Sequence, residues 1–337
     1  MSSNHSYSCD GVCWVQWCVY VPILVFGLPL NLAALWLLLF RVRRLSESTV
    51  YLINLIINDG LLILSLPFKI HAYKTEWTLG NTFCSLLESL LYVNIYGSIM
   101  LSMCIAVDRY IALQFPFAAL RLRSPRKAML VCLLVWMMVF GCSIPIFNLH
   151  EEPNATSTTF CFQQFSNRTW SKSWILVSME TVFCSSALLM VFCSVRVVQI
   201  LHDLRKRNPG DAKLRNNKSM KIVFSNLMVF LICFIPYHIA VLIYFNAKTS
   251  NSPSIDHLRY FVHISICISN VNILADGACY YFILKENLES AKRDRRMAIY
   301  VRETRIRSKN QMLFGETHNG SSTDTEKMEI CMVAGFT

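Results

Sequence analysis

Long apolar runs separated by short polar connections dominate the chain. Seven of these runs reach about 20 residues or more, the length that crosses the hydrocarbon core of a bilayer as an α-helix. In order, they cover residues 17–40, 50–73, 83–107, 129–149, 174–201, 221–245 and 259–284. Lipid admits only helices and closed barrels, and barrel strands are about half this length. The pattern therefore predicts an all-α membrane protein folded as a seven-transmembrane helix bundle.

Charge is sparse and unevenly placed. Only 16% of the residues are charged, yet the formal net charge is +11. Of the 32 Lys and Arg residues, 26 lie in the first, third and fifth connections and after the seventh run, counting Arg196 and Lys221 at the inner ends of the fifth and sixth runs. Because cytosolic loops carry the excess of basic residues, the N-terminus is predicted outside and the tail in the cytosol. This distribution accounts for the basic charge, so a nucleic-acid partner is not needed to explain it.

Composition changes along the chain divide it into four predicted regions. These are an extracellular N-terminus at 1–16, the bundle at 17–284, a basic amphipathic segment on the membrane surface at 285–307 and a disordered cytosolic tail at 308–337. The amphipathic segment is expected to form a short helix along an anionic inner leaflet. The tail is rich in Ser, Thr, Asn and Gly, which is typical of disordered segments.

Two kinds of covalent modification are predicted on the outer side. Asn4, Asn154 and Asn167 each begin an Asn-x-Ser/Thr glycosylation sequon there. Cys84 begins the third run and Cys161 lies in the loop after the fourth, so both face the oxidising compartment and are candidates for a disulfide. The pairing of Cys9, Cys13 and Cys18 stays open. Most other Cys residues lie within the runs and are interpreted as small packing residues.

Several polar side chains lie inside the apolar runs, where they are costly and mark candidate sites. They are placed at a similar depth in four runs: Asn31, Asp59, Asn94, Ser98, Asn272 and Asp276. Two carboxylates with amide and hydroxyl oxygens around them suit a hard cation such as Na⁺. The alternative is a hydrogen-bonded packing network in which one acid is protonated. No other cofactor is expected.

Short motifs at these positions carry a family resemblance. The segments "NLIIND", "AVDRYIALQFP", "CFIP" and "DGACYY", together with Trp136, resemble the rhodopsin-type G-protein-coupled receptors over all seven spans. The resemblance implies a heterotrimeric G protein as partner, arrestin and receptor kinases acting on the tail, membrane lipids around the bundle, and a location in the plasma membrane. It also implies an activation switch formed by Asp108, Arg109, Tyr110, Phe230, Phe234, Pro236 and Tyr280. At rest Arg109 would pair with its neighbouring acid, and on activation it would face the G protein.

The chain departs from the family pattern at several places. Asp276 and Gly277 stand where the family has Asn-Pro in the seventh span, and Gly277 permits a local bend there. The fifth span lacks the family's proline, and Phe234 replaces the usual tryptophan of the sixth span. These differences bear on basal activity and coupling rather than on the fold.

The outer half of the bundle carries the ligand-binding candidates. They are Lys69, Glu88, Tyr92, Ile95, Phe234, His238, Arg168, Lys172 and Arg259. The third span has no acid at mid-depth to receive an amine, and the mouth holds more basic than acidic residues, which favours an anionic ligand. A mutual ion pair between Lys69 and Glu88 is the structural alternative for those two residues.

Within the family, "LSLPFK", "LRSPRK" and "SNVN" are similar to receptors for lysophosphatidylinositol, whose entrance Lys and Glu match Lys69 and Glu88. This implies an anionic lysophospholipid ligand and coupling through the G12/13 and Gq classes to Rho and calcium signalling. A receptor for a small carboxylate such as kynurenic acid is the alternative, although Ile95 stands where a basic residue would be expected.

Other function classes fit less well. A secondary transporter should show an internal repeat with broken helices, and the sequence has neither. The eight His residues are scattered without a metal-ligand spacing, so no enzyme is predicted.

Overall fold

A computed structural model describes residues 11–41, 46–72, 77–147, 161–162, 173–208, 218–250, 255–281, 285 and scattered positions from 296 to 306. The predicted glycosylation sites Asn4, Asn154 and Asn167 lie outside the described residues. So do two of the basic ligand candidates, Arg168 and Lys172, and the tail from 307 onward.

Seven helical spans make up the described bundle. The first consists of Gly11–Pro22, a π-helical turn at Ile23–Gly27, Leu28–Trp36 and a second π-helical turn at Leu37–Arg41. The second to sixth spans are Glu47–Ala72, Asn81–Gln114, Pro125–Phe147, Ser173–Arg207 and Lys218–Thr249. The seventh span consists of Ile255–Asn270 and a helical continuation at 272–281. A short helix, Pro116–Leu122, joins the third span to the fourth. All seven spans are long and apolar enough to cross a membrane. No strand occurs among the described residues, and the predicted all-α seven-span architecture is confirmed.

Two helices continue well past the ends of their apolar runs. The third span reaches Gln114 rather than 107, and the fifth reaches Arg207 rather than 201. Their inner ends are rich in Leu, Gln, Arg and Lys, residues that favour helix even where no lipid surrounds them. Hydropathy marks the stretch within the membrane, whereas helix propensity and capping mark where the helix ends.

The third span is the central element of the bundle. It packs against the second, fourth, fifth and sixth spans, while the seventh packs against the sixth and the first. The core between them is mostly large apolar side chains, including Leu62, Ile99, Phe230 and Tyr244. The outward face of the fourth span stays exposed because its surroundings are lipid.

Glycine permits close approach between spans at two places. A Cβ atom on Gly97 of the third span would lie 2.5 Å from Oδ1 of Asn58 in the second. A Cβ atom on Gly277 of the seventh span would lie 2.8 Å from Nδ2 of Asn31 in the first. Both contacts bring a buried carboxamide against a bare backbone, as small residues at helix interfaces in membranes commonly do.

The seventh span is interrupted at Val271. Its amide bonds the carbonyl of Ile268 at 3.1 Å, three residues back, before helix resumes. The bend expected at Gly277 therefore lies about two turns earlier, and Gly277 instead provides room for Asn31. The interruption falls directly before Asn272.

Residues 286–337 form a second unit. The described positions from 296 to 306 are helical, and their apolar side chains are exposed: Met297, Ile299, Tyr300, Val301 and Ile306. The Thr304 hydroxyl donates to the Tyr300 carbonyl at 2.6 Å, one helical turn back. The helix expected after the seventh span is present at these positions, and its place on the membrane surface stays a prediction.

The Gly97 contact gives a direct test of the packing. Gly97→Ala places a methyl group inside the Asn58 carboxamide and is expected to destabilise the bundle by about 1–3 kcal/mol, a typical cost of overpacking. Thermal melting of the purified protein measures the effect. Gly141→Ala is the matched control, because a Cβ at Gly141 meets nothing within 4 Å, and it should melt at or above the wild-type temperature. Equal melting of the two variants would contradict the packing described here.

Candidate functional site

A buried lysine lies in the outer half of the bundle. Lys69 is 3% exposed, and its Nζ is 4.7 Å from the centre of the Tyr20 ring and 5.4 Å from that of Phe162. Two aromatic rings therefore solvate the ammonium through cation–π contacts. Among the described residues no carboxylate comes within ion-pair distance of Lys69, so the suggested Lys69–Glu88 ion pair is not formed.

Residues of the seventh span lie beside this lysine. His263 of the seventh span is close enough to both Lys69 and Arg259 for their charges to interact. Tyr20 is fully buried and receives hydrogen bonds from the Cys267 thiol at 3.6 Å and the Asn270 amide at 3.4 Å. These contacts fix the ring against which Lys69 lies, so the first, second and seventh spans form a rigid basic corner.

Glu88 holds a piece of the outer loop. Its Oε1 accepts a hydrogen bond from the Phe162 amide at 3.1 Å, and the adjacent Cys161 forms the predicted disulfide with Cys84. Phe162 has a positive φ of 69°, a strained conformation for a bulky residue that these anchors maintain. Its ring also meets Trp77 edge-on at 6.4 Å. Glu88 therefore positions the loop residue that covers Lys69.

An acid and an imidazole meet on the opposite side of the bundle core, between the fifth and sixth spans. His238 is 2% exposed, and its Nδ1 lies 3.0 Å from Oε1 of Glu180. Phe183 stacks on the imidazole with ring centres 3.7 Å apart. His238 was predicted to bind ligand, whereas its partner Glu180 was not identified from the sequence.

Apolar residues lie between these two polar groups. Ile95 and Phe234 are almost completely buried within the core cluster, whereas Tyr92 is half-buried. Phe234 meets Phe230 edge-on at 5.7 Å, and Phe230 stacks with Phe183 at 5.6 Å. The predicted aromatic switch residues of the sixth span, Phe230 and Phe234, therefore pack on the cytosolic side of His238. Pro236 lies between Phe234 and His238 in the sequence.

The predicted cation-binding residues come together at mid-depth. Asn94 donates from Nδ2 to Oδ1 of Asp59 at 3.2 Å, and Asn272 donates to the Ser98 hydroxyl at 3.1 Å. Asp276 is buried and close enough to Asp59 for the two carboxyl groups to interact electrostatically. This set, without Asn31, is called the polar cluster below.

Several oxygen atoms of the polar cluster accept no hydrogen bond from the described residues. Oδ2 of Asp59, Oδ1 of Asn94 and Oδ1 of Asn272 are buried, and none has a hydrogen-bond partner in the described bundle. Asn31 also has a buried Oδ1 without a partner in that part of the chain, but its amide donates to the carbonyls of Gly27 and Ile273 and ties the first span to the seventh. Buried acceptor oxygens without donors are suited to coordinate a hard cation.

Below the cluster, one carboxamide connects three spans. Asn226 of the sixth span donates from Nδ2 to the Ser102 carbonyl of the third at 2.9 Å. Its Oδ1 accepts from the Tyr280 hydroxyl of the seventh at 3.3 Å. Tyr280, predicted as a switch residue, is thereby tied to the sixth span, and Asn226 was not recognised from the sequence.

The inner end of the third span carries an ionic network. Arg109 donates from Nη2 to Oδ2 of Asp108 at 3.1 Å. Arg123, from the connection to the fourth span, contacts both oxygens of Asp108, at 2.9 and 3.2 Å, and also lies 2.9 Å from Oε2 of Glu47. The Ser48 hydroxyl donates to Asp108 at 2.5 Å. The Asp108 carboxylate therefore accepts hydrogen bonds from two arginines and from Ser48 of the second span.

Tyr110 lies apart from this network. Its ring meets Phe192 of the fifth span at 5.7 Å and Phe115 at 6.1 Å, both edge-on. It also packs against Val197, Leu201 and Val223 at the inner ends of the fifth and sixth spans. The three adjacent residues Asp108, Arg109 and Tyr110 thus divide between an ionic network and an apolar contact.

Comparison with known proteins identifies the family. The model of the 7 transmembrane receptor (rhodopsin family) matches residues 30–303. The chain belongs to this receptor family. A receptor of this kind is a multi-pass protein of the plasma membrane that signals through G proteins, and it is neither an enzyme nor a secondary transporter.

Individual relatives narrow the group. The receptor is 33% identical to lysophosphatidic acid receptor 6 of Gallus gallus, over 82% of this chain and 92% of that protein. It is 32% identical to G-protein coupled receptor 55 of Mus musculus, over 81% and 86% of the two chains. It is also 32% identical to G-protein coupled receptor 35 of Homo sapiens, over 80% and 84%. The receptor therefore falls in a lysophospholipid-receptor-like group.

Sequence reasoning missed several residues of the receptor's site. Glu180 is an acid in the middle of an apolar run, a signal that the same argument applied to Asp59 would have detected. Arg123 and Glu47 lie in cytosolic connections, where basic and acidic residues are ordinary, so no pattern distinguished them. Asn226 and His263 needed the packing of spans to acquire partners.

The network around Asp108 predicts unequal roles for two nearby arginines. Arg123→Gln leaves the carboxylates of Asp108 and Glu47 without a shared cation. It should destabilise the receptor by about 1–3 kcal/mol, between the values for exposed and buried ion pairs. Arg126→Gln is the control, since Arg126 is exposed and makes no ion pair with the described residues. Thermal melting in detergent measures the effect, and Arg123→Gln should melt at a lower temperature than Arg126→Gln. Equal melting temperatures would argue against the network.

Proposed function

We propose that this receptor binds an anionic lysophospholipid through its outer half and activates heterotrimeric G proteins of the G12/13 and Gq classes, toward Rho and calcium signalling. The observation that carries the proposal is Lys69, a buried ammonium held by two aromatic rings and without a carboxylate partner among the described residues. A buried cation of this kind is stabilised by an anionic ligand group.

The surroundings of Lys69 support a phosphate rather than a small neutral group. Arg259 contributes a second cation close to His263 at the same corner, and a phosphate offers several acceptor oxygens to N–H donors of this kind. The aromatic and aliphatic core around Tyr92, Ile95 and Phe234 is apolar enough to receive part of an acyl chain. The names of two relatives, lysophosphatidic acid receptors 6 and 4, agree with a lipid of this class.

A receptor for a small carboxylate such as kynurenic acid is the second candidate. Lys69, a buried ammonium, would suit a carboxylate as well. Against it, the position that would carry a mid-pocket cation is Ile95, which is buried in the apolar core.

The inner network supports a switch in which Arg109 exchanges partners. With Arg123 contacting both oxygens of Asp108, Arg109 keeps a single hydrogen bond to that carboxylate. Arg109 is thus weakly held and able to turn toward a G protein once the sixth span moves, while Arg123 keeps Asp108 satisfied. The tail would then serve arrestin and receptor kinases.

We also propose that Na⁺ binds at the polar cluster and favours the resting state. Asp59, Asn94 and Asn272 would supply oxygen ligands from three spans, and the ion would offset the electrostatic repulsion between Asp59 and Asp276. The acceptor oxygens without hydrogen-bond partners fit this role.

The ligand proposal is tested in cells that express the receptor at matched surface levels. Lys69→Met keeps the volume and removes the charge. It should weaken G-protein activation by 1-oleoyl lysophosphatidylinositol roughly 10- to 150-fold, the value of a hydrogen bond to a charged group. Lys248→Met is the control, because Lys248 lies over the Tyr244 ring in a similar way but belongs to the outer end of the sixth span. A response to kynurenic acid alone would overturn the lipid proposal in favour of the second candidate.

The cation proposal is tested by melting the purified receptor in NaCl and in N-methylglucamine chloride at equal ionic strength. Binding at ten times its Kd should stabilise the wild type by about 1.4 kcal/mol, and Asp59→Asn should abolish the difference between the two salts. Asp203→Asn is the control, because it removes an exposed acid at the inner end of the fifth span. This variant should keep the wild-type difference in melting between the two salts. A sodium effect that survives Asp59→Asn would place the ion elsewhere.

A further inference from the structure

The pair formed by Glu180 and His238 has a fixed proton arrangement. A carboxylate oxygen accepts hydrogen bonds, so the 3.0 Å contact to Glu180 places a hydrogen on Nδ1 of His238. The other ring nitrogen, Nε2, is then the acceptor of a neutral imidazole. It becomes a second donor only if the ring takes up another proton.

Aromatic rings prevent the imidazole from turning. Phe183 covers one face with its ring nearly parallel, at an interplanar angle of 10°. Tyr96 and Tyr237 meet the ring edge-on, with centres 5.9 and 5.1 Å away. The third, fifth and sixth spans therefore all constrain His238, and Nε2 points in one direction.

Two polar atoms at this place have no protein partner. Nε2 of His238 and the Tyr96 hydroxyl are both buried, and neither has a hydrogen-bond partner in the described part of the chain. Buried polar atoms in folded proteins are nearly always paired. A pair of unpaired atoms on adjacent rings, one of them an acceptor and the other a hydroxyl, indicates that a polar group of a ligand completes the hydrogen bonding.

We propose that Glu180, His238 and Tyr96 form a subsite that recognises the hydroxyl groups of a polyol headgroup. A ligand hydroxyl donates to Nε2 of His238, and the Tyr96 hydroxyl donates to a ligand oxygen. A hydroxyl fits because it both donates and accepts. A phosphate or carboxylate does not, because Glu180 is a negative charge 3.0 Å from the same imidazole.

This inference rests on the proposed function and refines it. The basic corner around Lys69 takes the phosphate of the lipid, and the subsite across the core takes the hydroxyl groups attached to that phosphate. The receptor should therefore distinguish lysophospholipids by their headgroup, with a polyol phosphate preferred over a bare phosphate monoester. Glu180 acts as a positioning residue, since it orients His238 and need not touch the ligand.

The test compares two lipids with the same acyl chain and glycerol, 1-oleoyl lysophosphatidylinositol and 1-oleoyl lysophosphatidic acid. Their dissociation constants are measured on purified receptor in nanodiscs. The wild type should bind the inositol lipid about tenfold more tightly, the value of roughly one hydrogen bond. His238→Phe should bring the ratio close to one, and Tyr96→Phe, which changes only a hydroxyl, should lower it in the same direction. Tyr244→Phe, a buried tyrosine of the sixth span away from the pair, should keep the wild-type ratio.

Each outcome distinguishes the subsite from the broader proposal. If both lipids bind and the ratio is unchanged in His238→Phe and Tyr96→Phe, the subsite is wrong and the lipid receptor stands. A wild-type ratio of one or below also overturns the subsite. If neither lipid binds the wild type, the proposed function fails, and the subsite is judged by the protonation of His238 alone.

That protonation is measured by ¹⁵N NMR of receptor labelled at histidine, with the His238 signals assigned by their loss in His238→Phe. Hydrogen on Nδ1 and a bare Nε2 whose signal shifts on addition of inositol phosphate support the subsite. Hydrogen on Nε2 with a bare Nδ1, or no shift, overturns it.

Discussion

The absence of water in the hydrocarbon core is the constraint on which this structure depends. A polar side chain there finds a partner on a neighbouring span or pays for its desolvation. The third span meets this demand at each depth. Near its outer end it carries the disulfide and Glu88, at mid-depth Asn94 and Ser98, further in the Ser102 carbonyl, and at its inner end Asp108. Because it lies at the centre of the bundle, these groups find partners in the outer loop and on the second, sixth and seventh spans.

Hydrogen bonds between membrane helices are individually modest, about 0.6 kcal/mol on average where they have been measured. Their value here lies in specificity. The Asn226 carboxamide can bond Ser102 and Tyr280 together only in one arrangement of the third, sixth and seventh spans. A movement of the sixth span breaks both bonds at small cost, which suits an element that must change position. The same reasoning applies to Arg109, held to Asp108 by one bond while Arg123 forms two.

The outer half of the bundle separates opposite charges across an apolar core. Lys69 and Arg259 are cations on one side, near His263, whereas Glu180 is an acid beside His238 on the other. Between them lie Ile95 and Phe234, which belong to the aromatic stack of Phe183, Phe230 and Phe234. A ligand that bridges the two sides would press on this stack, and the stack belongs to the fifth and sixth spans. Under the proposed function, binding energy gained in the outer half would be coupled in this way to the helices that carry the predicted inner switch.

The sequence by itself determined the seven spans, their orientation and the family, because each depends on local properties. Hydropathy over about 20 residues marks a span, loop charge sets its direction, and motifs such as "DRY" keep their spacing along one helix. It also identified Asp59, Asn94 and Asp276, which are conspicuous in apolar runs, but not Asn58, which donates to the Asn94 carbonyl and the Ser98 hydroxyl. Asn31 alone turned to backbone carbonyls instead of the cluster, a choice made by the close approach at Gly277.

The tertiary structure decided which partner each polar group takes. The sequence offered an ion pair between Lys69 and Glu88. In the structure Glu88 instead accepts a hydrogen bond from the Phe162 amide, in the loop held by Cys161, and the Lys69 ammonium lies over the rings of Tyr20 and Phe162. His238 acquired Glu180, and Asp108 acquired Arg123, from residues 58 and 15 positions away. Hydrogen bonds and ion pairs act over about 3 Å, whereas a sequence pattern reports only position along the chain. Which side chains come within that distance depends on how the spans rotate and pack, and only the folded bundle sets this.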